Sequence, residues 1–350
     1  MHRRLSLVEP EEKPLGVAIV GCGLIGNKRA ASLPGGKLIA CADTVEKKAV
    51  ELASRYGALP FPCPKKAINA DGVDVVIVAT TNDQLTPVSL AAISAGKHVL
   101  VEKPAARSSL EAAILGSAAH KASVYLRVGF NHRYHPAIRN ALQMVGDNEI
   151  GELMFLRGRY GHGGRVGYDR EWRADPELSG GGELIDQGIH LIDLSRKILG
   201  DFSQVDGFAR TFFWDMPVDD NAFLLLQNNA GQVADLHVSC SEWKNLFSLE
   251  IYGRTGKLHV EGLGGSYGTE KLTHYRMRFP EMGPPDTVSW EFPRGDDSWS
   301  VEFSEFAKDI RESRKPCHSI VDAIAALEIV EKIYKQSKMQ KNGHSKSRVG

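Results

Sequence analysis

Short apolar runs alternate with amphipathic segments over the first 130 residues. The runs occupy 15–20, 38–42, 73–80, 98–101 and 124–130. The segments between them have helical spacing of apolar positions at 24–33, 45–56, 87–95 and 109–121. Residues 73–80 are mostly β-branched, which is typical of a parallel strand covered on both faces. The pattern therefore predicts an α/β fold class, with a doubly wound, parallel Rossmann sheet in residues 14–131.

Beyond residue 131 this alternation stops. A helix is predicted at 136–145, a strand at 151–159 and a strongly apolar helix from Gly182. Period-two strands separated by turn signals then fill residues 203–262, and their order favours an antiparallel meander. The second half is therefore predicted to be an α+β domain with a large, mostly antiparallel sheet.

The end of the chain is less regular. Residues 263–296 are rich in Gly and Pro, and their two weaker strands, 275–279 and 288–292, are placed in loops at the sheet's edge. Two amphipathic helices follow at 298–313 and at 320–336, the latter with Ser319 as N-cap. The predicted domains are an N-terminal extension at 1–13, a dinucleotide-binding domain at 14–131, a substrate and oligomerisation domain at 132–337, and a disordered tail at 338–350.

The charge balance and the cysteine content restrict the binding partners and the cellular compartment that we expect. Lys plus Arg (43) equals Asp plus Glu (43), so no overall field attracts nucleic acid or an anionic membrane. No apolar run is long enough for a signal peptide or a membrane span. Five widely spaced cysteines without a CxxC pair disfavour disulfides and zinc. We therefore expect a cytoplasmic enzyme without nucleic-acid or membrane partners.

Gly21, Gly23 and Gly26 have GxGxxG spacing between the first strand and the first helix. In a dinucleotide site these glycines permit a tight turn, the approach of a pyrophosphate and close packing of the helix. Asp43 ends the second strand 20 residues after Gly23, where a carboxylate accepts the ribose hydroxyls. This carboxylate would repel a 2′-phosphate, so NAD is expected rather than NADP.

Two further turns are expected at the same edge of the sheet. Residues 80–82 and 102–104 each follow a predicted strand at its carboxyl end. Ligands of open α/β sheets lie beyond these ends, so both turns should converge with the glycine turn on one crevice.

The motifs together resemble a known family. They are VGCGLIG, CAD, ATTN, AGKHVLVEKP, GFNHRYHP and WRADPELSGGGELIDQGIHLID. In this order, over nearly the whole chain, they closely resemble the Gfo/Idh/MocA family of sugar and cyclitol dehydrogenases. Thr81 and Leu85 depart from the Pro and His that members commonly carry there, so contacts around the nicotinamide ribose are expected to differ.

The resemblance implies a cofactor site, a catalytic trio and an oligomer. We assign the cofactor to Gly21, Gly23, Leu24, Ile25, Gly26, Asp43, Thr80, Thr81, Asn82, Glu102, Lys103, Asn131, Trp172 and Arg173. We assign catalysis to Lys103, Asp186 and His190. The family's members also imply a homodimer or homotetramer.

The helix after Gly182 supports the trio independently of the family. Its polar residues recur at three- and four-residue steps and form one stripe: Glu183, Asp186, His190 and Asp193. The rest of the helix is apolar, and the stripe has no Lys or Arg, so it is expected to face a cleft rather than solvent. A divalent metal held by Asp186, His190 and Asp193 is an alternative, although no further ligand is evident.

Oxidation of an alcohol by a nicotinamide needs a base near the hydroxyl proton. His190 and Lys103 are both candidates, since histidine titrates near ~6.5 and burial lowers the pKa of a lysine. The preferred division has His190 as base, Lys103 polarising the substrate oxygen, and Asp186 one helical turn away orienting His190.

Residues 157–173 contain five Arg against two acidic residues. Such an excess suits an anionic group on the substrate, although solvent-facing Arg on a strand explains it equally well. The predicted substrate residues are Lys103, Arg159, His162, Arg165, Tyr168, Asp186 and His190. The sequence thus predicts an NAD-dependent oxidoreductase acting on a hydroxyl of a sugar, cyclitol or nucleotide-linked sugar. A redox-neutral enzyme that retains NAD and a non-catalytic dinucleotide sensor are the alternatives.

Overall fold

The computed structural model of the chain describes residues 13–314 and 320–345. Most of the predicted N-terminal extension, Ser319 and Cys317 lie outside the described residues. Within the described ranges, no helix is long and apolar enough to cross a membrane.

The first half contains the predicted parallel sheet. Its six strands are β1 Leu15–Val20, β2 Gly36–Ala42, β3 Leu59–Phe61, β4 Val75–Val78, β5 His98–Glu102 and β6 Leu126–Gly129. Their order, β3-β2-β1-β4-β5-β6, is that of a doubly wound sheet, and every pairing is parallel. The connecting helices are α1 Leu24–Ala30, α2 Glu46–Tyr56, α3 Pro64–Ile68, α4 Asn82–Ser94 and α5 Ser109–Lys121. The predicted fold class is confirmed.

The sequence missed β3 and α3, which are short and follow directly on one another. It also began α4 at Pro87, because proline is typical of a first helical turn. The helix in fact begins at Asn82, and Pro87 lies inside it.

The second half builds an eight-stranded sheet. Its strands are β7 Leu153–Gly161, β8 Phe202–Arg210, β9 Asn221–Asn228, β10 Val233–Ser239, β11 Leu246–Gly253, β12 Gly256–Glu261, β13 Glu270–Arg276 and β14 Asp286–Phe292. The order is β14-β13-β12-β11-β7-β10-β9-β8. The predicted meander is interrupted, because β7 lies between the successive strands β10 and β11 and pairs with β10 in parallel. Residues 263–296, which were predicted as edge loops, contain β13 and β14, and β13 begins five residues before the weaker strand predicted at 275–279.

The helices of the second half are α6 Pro136–Gly146, α7 Pro176–Ser179, α8 Ile189–Leu199, α9 Ser298–Arg311 and α10 Ile320–Ser345. Helix α8 packs on the inner face of β7, where Gly158 leaves room for Leu191. Helix α10 continues to Ser345, so the backbone of residues 338–345 is helical where a disordered tail was predicted.

Helix α9 returns to the first sheet although its sequence lies in the second half. Its Phe303 and Phe306 are fully buried in one apolar cluster with Val17 and Ile19 of β1. The same helix supplies carboxylates to two buried arginines of the first half: Glu302 pairs with Arg29, and Asp309 with Arg127. The two halves are therefore joined by a shared core as well as by the chain.

Candidate active site at the edge of the first sheet

The glycine turn between β1 and α1 has one glycine that the fold itself does not require. Gly21 has φ +94°, and a Cβ there would lie 2.3 Å from the carbonyl oxygen of Ala79. A Cβ on Gly26 would lie 1.9 Å from the carbonyl oxygen of Gly21. A Cβ on Gly23, in contrast, would meet no described atom within 4 Å. The space in front of Gly23 is what a pyrophosphate at the helix N-terminus needs, so these residues fit a dinucleotide.

Asp43 lies beside this turn, as predicted. Its Oδ2 accepts a hydrogen bond from the backbone N–H of Cys22 at 2.8 Å, and its Oδ1 accepts one from Val45 at 2.8 Å. The carboxylate is thereby fixed at the end of β2, next to the loop that would hold the phosphates.

The remaining predicted cofactor residues lie at the same edge, but three of their side chains are used by the protein. Asn82 donates to the carbonyl oxygen of Ser179 at 2.8 Å. Asn131 donates to Ser298 Oγ at 3.0 Å. Glu102 forms an ion pair with Arg29, at 2.6 Å, inside the protein. The Glu102 carboxylate thus neutralises the buried Arg29, and the assignment of Glu102 to the cofactor site stays a prediction.

Lys103, Asp186 and Arg173 form the charged centre of the crevice. Lys103 Nζ donates to Asp186 Oδ1 and to the Asp186 carbonyl oxygen, both at 2.6 Å. Arg173 Nε donates to the other carboxylate oxygen at 3.0 Å. Burial would raise the pKa of Asp186, but Lys103 and Arg173 hold that pKa well below its usual range. Asp186 therefore stays an anion that anchors both cations.

His190 is 3% exposed and stacks on His132, with 3.6 Å between the ring centroids. Burial, and then the charge of Lys103, lowers the pKa of His190 well below its usual value, with Asp186 opposing. Its Nδ1 has no hydrogen-bond partner among the described residues. The structure thus corrects the predicted orientation of His190 by Asp186, because no hydrogen bond joins these two side chains among the described residues and the Asp186 carboxylate binds Lys103 and Arg173 instead.

The helix that carries Asp186 and His190 begins with a π-helical turn. The helix after Gly182 begins as a π-helix, Leu184–Gly188, and only then continues as α8. Asp219 fixes its start by accepting from the backbone N–H groups of Gly182 (3.0 Å) and Leu184 (2.8 Å). The wider turn changes the spacing of the polar stripe, and such turns are frequent at functional sites.

The polar residues of this helix lie in two different environments, the crevice and the protein interior. Asp186 and His190 face the crevice, whereas Asp193 is buried in an ion pair with Arg133. This pairing removes Asp193 from the alternative metal site. The described part of the chain contains no cluster of His, Cys, Asp or Glu suited to a metal ion.

The sequence analysis missed two residues of the site. His132, which stacks on His190, lies 3.1 Å from the hydroxyl of Tyr160 and 3.2 Å from Asn131 Oδ1. Burial, and then the charges around it, lowers the pKa of His132 well below its usual value. The sequence feature that could have identified His132 is its position next to Asn131 in GFNHRYHP, directly after β6. No sequence feature of this kind marks Tyr160, because its burial depends on which face of β7 its side chain occupies.

A second polar group lies beside Asp186. The Tyr168 hydroxyl donates to Glu183 Oε2 at 3.3 Å, and His162 Nε2 lies 3.5 Å from Glu183 Oε1. Burial and then the Asp186 charge raise the pKa of Glu183 well above its usual value. His162 and Tyr168, both predicted substrate residues, therefore line the wall next to Asp186.

Two predicted substrate arginines are paired with carboxylates of the protein. On β7 the side chains alternate, so Arg159 points to the opposite face from the buried Tyr160 and pairs there with Glu242 at 2.7 Å. Arg165 forms an exposed, two-pronged ion pair with Glu171, with both contacts at 2.7 Å. The prediction for Arg159 is corrected by this geometry, because a strand cannot present neighbouring side chains to one face.

Comparison with known proteins identifies the family. Residues 15–130 match the family described as "Oxidoreductase family, NAD-binding Rossmann fold", and residues 138–259 match the GFO/IDH/MocA C-terminal domain. The chain belongs to the Gfo/Idh/MocA family. Its first domain is accordingly an NAD-binding domain, as the sequence predicted.

Individual members of the Gfo/Idh/MocA family match over almost their whole length. Levoglucosan dehydrogenase of Pseudarthrobacter phenanthrenivorans is 30% identical over 388 residues, covering 92% of this chain and 97% of the relative. The scyllo-inositol 2-dehydrogenase (NAD(+)) of Bacillus subtilis is 25% identical over 332 residues, covering 91% and 92%. Among solved structures, GenD2 from gentamicin A biosynthesis in complex with NAD superposes with a TM-score of 0.79 at 27% identity, covering 96% of each chain.

The glycine turn yields a first prediction. Gly23→Ala should lower NAD affinity by about ten-fold or more while leaving the Tm unchanged, because the new methyl group meets only the phosphate space. Gly26→Ala is the matched control: its methyl group meets the Gly21 carbonyl, and we expect a loss of more than ~1 kcal/mol in unfolding free energy. Calorimetric NAD binding and thermal unfolding measure both effects. Unchanged NAD affinity in Gly23→Ala would contradict the assignment.

Proposed function

We propose that the chain is an NAD-dependent dehydrogenase that oxidises a secondary hydroxyl of a sugar or cyclitol ring. The observation that carries the proposal is the convergence of Lys103, Asp186 and His190 beside the NAD-binding turn, with His190 Nδ1 unpartnered among the described residues. A dinucleotide sensor would have no use for these proton-handling groups.

Each residue of the crevice has a distinct role in the oxidation of the hydroxyl group. The bound dinucleotide supplies the hydride acceptor. His190, kept neutral by burial, takes the proton of the reacting hydroxyl at a ring nitrogen. Lys103 donates a hydrogen bond to the same oxygen and stabilises the negative charge that develops on it. Asp186 keeps the Lys103 ammonium in place, and Arg173 balances the second carboxylate oxygen.

The charges in the crevice favour an uncharged substrate. Arg159, Arg165 and Arg173 are paired with Glu242, Glu171 and Asp186, respectively. Each guanidinium therefore already has a carboxylate partner, although Asp186 is shared with Lys103. This pairing weakens the expectation of a phosphate or carboxylate on the substrate. Relatives named for scyllo-inositol and levoglucosan support a neutral, polyhydroxylated ring.

The test is NADH formation, followed by absorbance, with inositols, levoglucosan and free hexoses as substrates. We expect NADH to accumulate in proportion to the substrate consumed. Substrate conversion without accumulation of NADH would instead identify the redox-neutral alternative, and no conversion across the panel would favour the sensor.

We further propose a homodimer or homotetramer in the cytoplasm. The open face of the second sheet carries Phe208, Phe223 and Leu225, which are 36%, 37% and 54% exposed. Such a contiguous apolar face is suited to self-association. The four cysteines in the described ranges are free thiols, as a reducing compartment would keep them. Light scattering measures the oligomer, and a monomer at micromolar concentration would contradict this proposal.

A further inference from the structure

Three exposed aromatic side chains lie in two adjacent loops at one end of the second sheet. Phe212 and Phe213 lie in the loop between β8 and β9, and Trp243 lies in the loop between β10 and β11. Their exposed fractions are 66%, 55% and 67%. Phe213 and Trp243 are in perpendicular contact, with 4.5 Å between ring centroids. We call these three residues the aromatic rim. Single exposed apolar residues are ordinary, but a cluster of aromatic rings marks a binding surface.

Hydrogen bonds to a buried carboxylate fix the loop that carries Phe212 and Phe213. The fully buried Asp220 accepts hydrogen bonds from the backbone N–H groups of Phe212 (2.8 Å), Phe213 (2.7 Å) and Trp214 (3.0 Å). The indole N–H of Trp214 donates to the Cys240 carbonyl at 2.8 Å, which ties the two loops together. A buried carboxylate with three backbone donors fixes a loop in one conformation. The exposed rings are therefore pre-organised, as a stacking surface requires.

The backbone conformation of Trp243 also indicates that the surrounding structure constrains this residue. Its φ is +60°, in the left-handed region that bulky residues seldom adopt. Non-glycine residues persist in such conformations where the surrounding structure enforces them, often at ligand sites.

The aromatic rim is continuous with the proposed active site. A Cβ on Gly163 would lie 3.3 Å from Trp243 Cα, so the two backbones are in contact. The preceding residue, His162, reaches Glu183, with 3.5 Å between Nε2 and Oε1. The ring of Tyr168 lies between the two regions, with centroids 5.5 Å from His162 and 5.6 Å from Trp214. A continuous series of packed side chains thus joins the carboxylates of the crevice to the exposed rings.

We propose that the aromatic rim is a subsite for a second ring, so that the substrate is a glycoside whose aglycone or second sugar stacks on Trp243 and Phe213. This inference rests on the proposed function. A sugar ring carries C–H groups on its faces and hydroxyls around its edge, and an aromatic face covers the C–H groups without displacing water from the hydroxyls. The crevice holds the ring that is oxidised, and the rim lies where a substituent of that ring would extend.

The area of the aromatic rim fits a small ring better than a protein partner. Three aromatic side chains of about 200 Å² each, exposed by roughly two-thirds, offer ~400 Å². A stable protein interface buries about 800 Å² on each partner. The rim therefore offers about half of what a second copy of the chain needs.

The experiment measures binding of matched ligands to the NADH-bound enzyme, in which no oxidation occurs. The probes are D-glucose and D-galactose, and the phenyl α- and β-glycosides of each. We expect at least one phenyl glycoside to bind about ten-fold more tightly than its free sugar, and Trp243→Ala to abolish this difference. Trp243→Phe should restore most of it, because a stacking face is retained.

Two control variants separate stacking from folding. Trp243→Gly removes the ring and also relieves the left-handed backbone, so its Tm should not fall while the glycoside preference is lost. Trp290→Ala removes another partly exposed tryptophan, 40% exposed on β14, and should leave the preference unchanged.

The outcomes distinguish this inference from the proposed function. Equal affinity of every phenyl glycoside and its free sugar, or an unchanged preference in Trp243→Ala, would overturn the subsite even if sugars are oxidised. A preference for glycosides without any NADH formation from NAD would uphold the subsite and refute the dehydrogenase. A loss of oligomers in Trp243→Ala, with equal ligand affinities, would assign the aromatic rim to self-association instead.

Discussion

Replacing Lys103 by Ala should lower kcat by about 10² to 10⁴ while NAD affinity stays within a few-fold of wild type. Lys103 Nζ is held by two oxygens of Asp186 at 2.6 Å and retains a third N–H for the substrate oxygen. The variant loses both the proton donor and the positive charge that would stabilise a developing alkoxide. Steady-state kinetics and calorimetric NAD binding separate chemistry from cofactor affinity.

Lys97→Ala is the matched control. Its ammonium also donates to a backbone carbonyl, that of Val73, at 2.8 Å, but it lies at the opposite end of β5 from Lys103. We expect its kcat to remain within about two-fold of wild type. A near-normal kcat in Lys103→Ala would exclude Lys103 from the mechanism, whereas equal losses in both variants would indicate a general effect on folding.

The acid limb of kcat/KM for alcohol oxidation should lie below the ordinary histidine range near ~6.5. Burial and Lys103 lower the pKa of His190, so its neutral form, which accepts the hydroxyl proton, persists to lower pH than in an exposed histidine. As pH falls through that lowered pKa, the ring becomes protonated and the rate declines. Asp186→Asn should move the limb further down, because the carboxylate favours the charged ring.

His190→Asn tests whether this limb belongs to His190. The limb should disappear, and the rate should fall by about 10² or more. His98→Asn replaces another histidine whose pKa is lowered by burial, far from the crevice on β5, and its profile should match wild type. An acid limb retained in His190→Asn, with only KM altered, would reduce His190 to a substrate contact and leave Lys103 as the base.

The first sheet was predictable because its determinants are local. Glycine spacing, β-branched runs and Asp43 at a strand end are each read within one βαβ unit, and the structure places them at one edge of the sheet. Lys103 was assigned from the family motif at the end of a strand, and Asp186 from the polar stripe on an apolar helix. The sequence could place them near each other, but the hydrogen bonds between them required coordinates.

The errors arise from long-range or irregular features. Helical spacing assumed one regular helix after Gly182, but this helix begins with the π-helical turn Leu184–Gly188, and Asp193 is buried against Arg133. Arg159 was assigned by composition, which carries no information about which face of β7 it occupies. The insertion of β7 between β10 and β11 depends on pairings far apart in the chain, which turn signals do not encode.

The return of helix α9 to the first sheet limits how this protein can be divided or recombined. A fragment ending at residue 131 would strip Arg127 of Asp309 and Arg29 of Glu302, although both guanidinium groups are fully buried. Loss of α9 would also expose to water the apolar side chains that Phe303 and Phe306 cover, and burial of each such side chain contributes about 1.5–3 kcal/mol to a typical stability of about 5–15 kcal/mol. The NAD-binding half is therefore not a transferable module. A chimaera that exchanges substrate domains between relatives needs a second junction before Ser298, so that α9 keeps the sheet with which it shares its core.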